Sequence, residues 1–151
     1  MDKYEVLKQY FGYDAFRDGQ EKMIDAITSG RDVLGIMPTG AGKSLCYQIP
    51  ALMAGENGGI TLVISPLISL MKDQVSALNQ AGVHAAYLNS SLTSGQYYKA
   101  LGYAREGRYP IIYVAPERLL TPEFLDFAVH AKIAMVAVDE AHCVSQWGQD
   151  F

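Results

Sequence analysis

Residues 37–44 read Met37-Pro38-Thr39-Gly40-Ala41-Gly42-Lys43-Ser44, and they lie between an apolar run at 33–36 and a helical pattern at 45–49. This order predicts a strand, a phosphate-binding loop and a helix. Glycines let the backbone turn tightly and point its N–H groups at a phosphate, and the helix start adds partial positive charge. Lys43 would reach the outer phosphates and Ser44 would bind Mg²⁺. The strict motif has Gly at position 37, so the alternative interpretation is a glycine-rich turn before an ordinary helix.

The composition is that of a globular domain. The chain has 151 residues, of which 50% are hydrophobic and 19% charged, which is enough apolar material for one folded core. The net charge of -4 argues against a polybasic nucleic-acid binder but leaves binding through a local patch open. Two cysteines are too few for a disulfide framework, and no signal sequence or membrane-spanning run is present. We expect a protein with no membrane partner, in a bacterial cytoplasm rather than a nucleus.

Strands alternate with helices along the chain, which predicts an α/β fold with a mostly parallel sheet covered by helices on both faces. Two short helices, at 3–10 and 20–28, precede the first strand and add to this core. The predicted strands cover residues 33–36, 60–64, 84–88, 109–114 and 133–138.

Asp139 and Glu140 follow directly after the last apolar strand. Ligands of open α/β sheets bind at the carboxyl ends of the strands, and the loop at 37–44 also follows a strand end. Both motifs should therefore meet at one edge of the sheet. Asp139 would hold Mg²⁺ through its water shell, and Glu140 would orient or deprotonate an attacking water. The alternative interpretation is that both carboxylates cap the next segment.

Several stretches together resemble RecQ-family DNA helicases over nearly the whole chain. Asp139-Glu140-Ala141-His142 is similar to the DEAH form of motif II in superfamily-two helicases, whose phosphate loop relaxes the first glycine. The stretch at 143–151 is the most discriminating, because it resembles an aromatic-rich loop peculiar to the RecQ family. The other matching stretches are Phe16-Arg17-Asp18-Gly19-Gln20, Val63-Ile64-Ser65-Pro66-Leu67-Ile68-Ser69-Leu70-Met71-Lys72-Asp73-Gln74 and Tyr113-Val114-Ala115-Pro116-Glu117-Arg118-Leu119.

The resemblance implies a RecA-like P-loop NTPase fold and an ATP-dependent helicase. Residues 1–30 would form a helical adenine-recognition segment, and residues 31–151 the first of two motor lobes. The full protein would use ATP and Mg²⁺ to unwind duplex DNA in the 3′ to 5′ direction, in recombination and repair, and would bind single-stranded and duplex DNA.

The resemblance also assigns the nucleotide contacts. Tyr13 would stack on the base, Arg17 would pack near it, and Gln20 would read its edge, since a carboxamide matches N6 and N7 of adenine. The family often has Pro at position 18, where this chain has Asp. The alternative for Gln20 is a solvent-exposed residue at a helix start. The implied phosphate-loop contacts are Thr39, Gly40, Ala41, Gly42, Lys43 and Ser44.

Four residues are implied to contact DNA. Ser65 and Lys72 would bind backbone phosphates, although Lys72 is equally well explained as a solvated surface lysine. Trp147 and Phe151 would stack on single-stranded DNA or relay its presence to the ATPase site; the alternative is ordinary packing. His142 would link the nucleotide site to the conformational response, or be a core histidine.

The chain stops at Phe151 with no helix after the last motif, so we expect a truncated protein without its second lobe. Such motors take a transition-state arginine from that lobe, so we expect the isolated chain to be nearly inactive. Two alternatives stay open. One is an RNA helicase lobe of the same superfamily, against which the Trp147 loop argues. The other is a nucleotide-binding module without motor activity, against which the Asp139–Glu140 pair argues.

Overall fold

A computed structural model describes residues 1–33 and 42–139. Four strands form one sheet within these residues: β1 (Ile60–Ile64), β2 (Ala85–Leu88), β3 (Ile111–Val114) and β4 (Ile133–Val138). The predicted strand at 33–36 lies, except for Val33, outside the described residues. The helices are α1 (Lys3–Val6), which continues as a π-helical turn (Leu7–Phe11), α2 (Gln20–Thr28), α3 (Lys43–Gly55), α4 (Ile68–Gln80), α5 (Ser94–Arg105) and α6 (Pro122–His130), with a 3₁₀ turn at Pro116–Arg118.

The sheet is parallel throughout, with the strand order β2-β3-β1-β4. Val63 of β1 lies opposite Tyr113 of β3 on one side and Ala137 of β4 on the other. Parallel neighbours require crossover connections, and α4, α5 and α6 supply them between successive strands. The predicted parallel α/β sheet is therefore confirmed.

Helices cover both faces of the sheet. Val63 and Tyr113 belong to a core shared with α2, α3 and α4, whereas Leu62 and Ile112 belong to a second core shared with α5 and α6. Successive side chains of a strand point to opposite faces, so a strand buried on both sides needs the continuous apolar sequence that β1 and β3 show. This arrangement confirms the predicted helices on both faces.

The ends of the elements follow local chemistry. β3 begins at Ile111 and not at 109, because Pro110 has no N–H to donate to the ladder. α5 begins with a capping box: the Thr93 hydroxyl accepts from Gln96 N–H, and the Gln96 side chain accepts from Thr93 N–H. No helix in the described part of the chain is both long and apolar enough to cross a bilayer.

The two N-terminal helices are built into the main core. Val6, Leu7 and Ile24 are each at most 1% exposed and pack in the same cluster as Ile49 of α3 and Val63 of β1. The adenine-recognition segment predicted for residues 1–30 therefore shares its core with the sheet.

Candidate nucleotide-binding site

A cleft of about 480 Å³ opens beside the carboxyl end of β4 and the start of α3. It gathers residues that lie far apart in the sequence, from the segment before α2 to the end of β4. Predicted site residues that line the cleft are Tyr13, Arg17, Gln20, Gly42, Lys43, Ser44 and Asp139. Phe11, Ala15, Leu45, Leu70 and Gln74 complete the lining.

Gln20, the first residue of α2, is 2% exposed and connects the two halves of the cleft. Its Oε1 accepts from the Arg17 backbone N–H at 2.7 Å, and its Nε2 donates to the Gly42 carbonyl at 2.9 Å. Each of these atoms keeps a second lone pair or hydrogen. The solvent-exposed alternative for Gln20 is wrong, because the side chain is buried against the Gly42 backbone.

Gly42 is the helix N-cap of α3 and adopts φ +76°, in the left-handed region that favours glycine. A Cβ at this position would lie 2.4 Å from Gln20 Nε2. The backbone of residue 42 can lie this close to the Gln20 amide only because Gly42 has no side chain.

Tyr13 and Arg17 lie in the connection between the π-helical turn and α2, and both are exposed at the mouth of the cleft. Tyr13 is 52% exposed, so its ring is accessible to a flat partner such as a base. An accessible aromatic ring and a guanidinium beside a buried carboxamide are the groups expected for recognition of a nucleobase.

Lys43 and Asp139 meet at the inner end of the cleft. The Lys43 ammonium nitrogen lies 3.8 Å from Asp139 Oδ1, and the Asp139 side chain is only 5% exposed. The Asp139 N–H donates to the Ile64 carbonyl at 2.9 Å, which continues the β1–β4 ladder and fixes the residue at the strand end. A buried carboxylate with a cation beside it suits a site for phosphate and a divalent metal.

A polar network that none of the sequence motifs indicates extends from Ser44. Gln74 Nε2 donates to the Ser44 hydroxyl at 3.1 Å, and the Tyr47 hydroxyl donates to Gln74 Oε1 at 2.9 Å. The Tyr47 hydroxyl also lies 3.4 Å from Asp139 Oδ2 and 3.2 Å from the Tyr113 hydroxyl. One feature of the sequence does indicate this network: Tyr47 comes three residues after Ser44 and so lies on the same face of α3.

Burial raises the pKa of both tyrosines in this network. Desolvation raises the pKa of Tyr113 to about 12. Desolvation, with repulsion from Tyr113 and Asp139, raises the pKa of Tyr47 still further. Both hydroxyls therefore keep their protons at neutral pH and act as hydrogen-bond donors.

Ser65 and Lys72, the two predicted DNA contacts that the structure describes, do not line this cleft. Ser65 follows β1 and is 1% exposed, and its hydroxyl accepts from Leu67 N–H at 3.4 Å. Lys72 is exposed on α4. The structure does not describe seven further residues for which the sequence predicts a role: Thr39, Gly40, Ala41, Glu140, His142, Trp147 and Phe151.

Residues 17–151 match the family model for DEAD/DEAH box helicases. Among curated relatives, the ATP-dependent DNA helicase RecQ of Bacillus subtilis is 52% identical over 97% of this chain, which covers 24% of that protein. The ATP-dependent DNA helicase RecQ of Pasteurella multocida is 53% identical over 97% of this chain, which covers 23% of it. The chain thus spans about a quarter of the length of these relatives, and the resemblance drawn from the motifs is confirmed.

Solved structures share the fold. A hypothetical ATP-dependent RNA helicase from Sulfolobus tokodaii matches with a TM-score of 0.70 and 25% identity, over 97% of this chain and 43% of that one. The DUF1998 helicase MrfA, solved with DNA and AMPPNP, matches with a TM-score of 0.76 over 94% of this chain and 21% of that one. At 18% identity the second match bears on the fold alone.

Proposed function

We propose that this chain, which belongs to the DEAD/DEAH box helicase family, is the first motor lobe of a longer ATP-driven DNA helicase. One observation carries the proposal: residues predicted to hold adenine, phosphate and Mg²⁺ line a single cleft. Residues 1–30 would form an adenine-recognition segment, and residues 31–151 would form the RecA-like lobe itself. The two regions share a core, so they would act as one rigid support for the nucleotide.

ATP would lie with its base at the mouth of the cleft and its phosphates at the start of α3. Tyr13 would stack on the adenine, and the remaining hydrogen-bonding capacity of Gln20 would read its edge. Lys43 would contact the outer phosphates, with Thr39, Gly40, Ala41 and Gly42 supplying backbone N–H donors. The helix start at Lys43 adds partial positive charge at the same point.

The donor set fits Mg²⁺. The Ser44 hydroxyl and the Asp139 carboxylate are hard oxygen ligands, and both line the cleft. Bound there, Mg²⁺ would supply charge neutralisation at the phosphates. The protein's own part is to fix these two oxygens beside the Lys43 ammonium, while Glu140 would orient or deprotonate the attacking water. Transition-state charge would be completed by an arginine from a second lobe of the longer protein.

The nucleotide site is tested by binding of a fluorescent ATP analogue in MgCl₂. Lys43→Ala should weaken binding roughly tenfold or more, because a charge-assisted contact to phosphate is lost. Lys99→Ala, on α5 at the opposite face of the sheet, is the matched control and should bind like the wild type. Equal binding by Lys43→Ala and the wild type would overturn the site assignment.

The nucleic acid is a separate question. The RecQ relatives, at 52% and 53% identity, are DNA helicases, whereas the Sulfolobus tokodaii structure, at 25% identity, carries the name of an RNA helicase. The higher identity favours DNA. ATPase assays on the longer protein should show stimulation by single-stranded DNA and little by RNA of the same sequence, and unwinding in the 3′ to 5′ direction. Stronger stimulation by RNA would favour the second candidate.

A further inference from the structure

We infer that Gln74 is a positioning residue that holds the two proposed Mg²⁺ ligands, Ser44 and Asp139, and ties them to α4. The inference rests on the proposed function, because it concerns the same nucleotide site. Nothing in the sequence motifs gives Gln74 this task.

A chain of polar contacts, each within hydrogen-bond distance, connects the two ligands. It runs from the Ser44 hydroxyl to Gln74 Nε2 at 3.1 Å, from Gln74 Oε1 to the Tyr47 hydroxyl at 2.9 Å, and from Tyr47 to Asp139 Oδ2 at 3.4 Å. Ser44 and Tyr47 belong to α3, Gln74 to α4, and Asp139 follows β4. Gln74 therefore links a third element, α4, to the two ligands.

The donor and the acceptor of each contact show how Gln74 controls the direction of the Tyr47 O–H. Gln48 Nε2 donates to the Tyr113 hydroxyl at 2.9 Å, so the Tyr113 proton is directed at Tyr47, 3.2 Å away. The single Tyr47 proton then has two acceptors, Gln74 Oε1 at 2.9 Å and Asp139 Oδ2 at 3.4 Å. The shorter bond goes to Gln74. If Gln74 moved away, the Tyr47 hydroxyl would donate its hydrogen bond to the Asp139 carboxylate instead. That hydrogen bond would change how strongly the carboxylate binds a metal ion.

The position of α4 connects such a movement to the surface of the protein, because the helix has residues both at the cleft and in solvent. Its buried face, with Met71, Val75 and Leu78, fixes the helix on the core, and Leu70 and Gln74, one turn apart, face the cleft. Lys72 is exposed on the same helix, and Ser65 lies just before it. The resemblance implies both as contacts to DNA phosphates, and of the two only Lys72 is exposed, since Ser65 is 1% exposed. DNA that binds along α4 would therefore affect the proposed Mg²⁺ ligands through the Gln74 side chain.

The decisive measurement is the Mg²⁺ dependence of nucleotide binding. Gln74→Met keeps the length of the side chain but removes both polar atoms. We expect it to raise the MgCl₂ concentration that half-saturates binding of a fluorescent ATP analogue roughly tenfold, with binding in EDTA unchanged. Gln80→Ala, at the exposed end of the same helix, is the matched control. A loss of equal size with and without Mg²⁺ would indicate a structural effect and overturn the inference.

Tyr47→Phe supplies an independent variant, because it removes the hydroxyl and keeps the ring. It should raise the Mg²⁺ requirement in the same direction, and the double variant should show less than the product of the two single effects, since both break one chain. Fully multiplicative effects would contradict a shared chain. If the wild type bound no nucleotide, the proposed function would fail; if it bound and Gln74→Met matched it, only the positioning role would fail.

The link to DNA is tested in the longer protein. A single-stranded oligonucleotide should lower the half-saturating MgCl₂ concentration of the wild type but not that of Gln74→Met. An equal shift in both proteins, or none in the wild type, would overturn the coupling through α4.

Discussion

Gly42 is the residue at which the proposed adenine side and the proposed phosphate side of the cleft meet. Its carbonyl accepts from Gln20, and its missing side chain leaves the space that the Gln20 amide occupies. A motif that reads as a phosphate loop thus also has a steric function toward a residue 22 positions earlier.

We expect Gly42→Ala to destabilise the chain by about 1 kcal/mol for the left-handed backbone and by a further ~1–3 kcal/mol for the forced displacement of Gln20. Urea denaturation measures the total. Gly107→Ala is the matched control, because Gly107 has φ +77° and no atom within 4 Å of the added Cβ. Equal losses in the two variants would show that the contact with Gln20 contributes nothing.

At the level of single residues, the sequence predicts most of the polar side chains that line the cleft. Lys43, Ser44 and Asp139 are predicted because each belongs to a motif whose spacing suits phosphate and metal chemistry, and all three line the cleft. Tyr47 and Gln74 were missed because their partners lie on other elements. A glutamine on an amphipathic helix carries no signal of what it contacts across the interface.

At the scale of elements, α3 and β3 are joined by a polar contact inside an apolar core. Tyr113 of β3 is fully buried, and its hydroxyl accepts from Gln48 and lies beside Tyr47, both on α3. A tyrosine inside a buried apolar strand needs such partners, because an unpaired hydroxyl is costly to bury.

The burial of Tyr113 gives the stability of the chain a defined pH dependence, because desolvation raises the pKa of its hydroxyl. The pKa of Tyr113 is about 12 in the folded chain against 10.0 for an ordinary tyrosine, so folding favours the protonated form. The stabilisation is complete below pH 10 and is lost as pH rises toward 12. Comparing wild type with Tyr113→Phe by urea denaturation, we expect their difference in unfolding free energy to shrink by about 1 kcal/mol between pH 9 and pH 11. A difference that stays constant over this range would contradict the shift.

The elements themselves were predicted well where the pattern was unambiguous. The strands at 60–64 and 133–138 and the helix at 20–28 have the predicted bounds, since a β-branched apolar run and a 3.6-residue stripe have few other interpretations. The strand predicted at 84–88 begins at Ala85, because alternation alone does not specify where pairing starts.

For the whole molecule, the main question is whether residues 1–30 form a separate unit or part of the lobe. Ile24 of α2 is 0% exposed and packs in one cluster with Ile49 and Val63. A segment whose fully buried apolar side chains all lie in the common core should not unfold independently.

We therefore expect Ile24→Ala to lower the unfolding free energy of the whole chain by about 2–5 kcal/mol, with a single transition seen by tyrosine fluorescence and by far-ultraviolet circular dichroism. Val129→Ala, at a position that is 78% exposed on α6, should change stability by less than about 0.5 kcal/mol. Two separate transitions in Ile24→Ala would instead indicate an independent N-terminal unit.

The strand order has a consequence for how the site is assembled. β1 lies between β3 and β4, so the central strand gains its partners only after segments far along the chain have arrived, and such long-range pairing is slow. Asp139, held by the carbonyl of Ile64, joins the cleft only when β4 docks. A chain whose last strand has not yet paired has Lys43 and Ser44 but no Asp139 beside them. Competence to bind Mg²⁺ and nucleotide together would then mark the completion of folding.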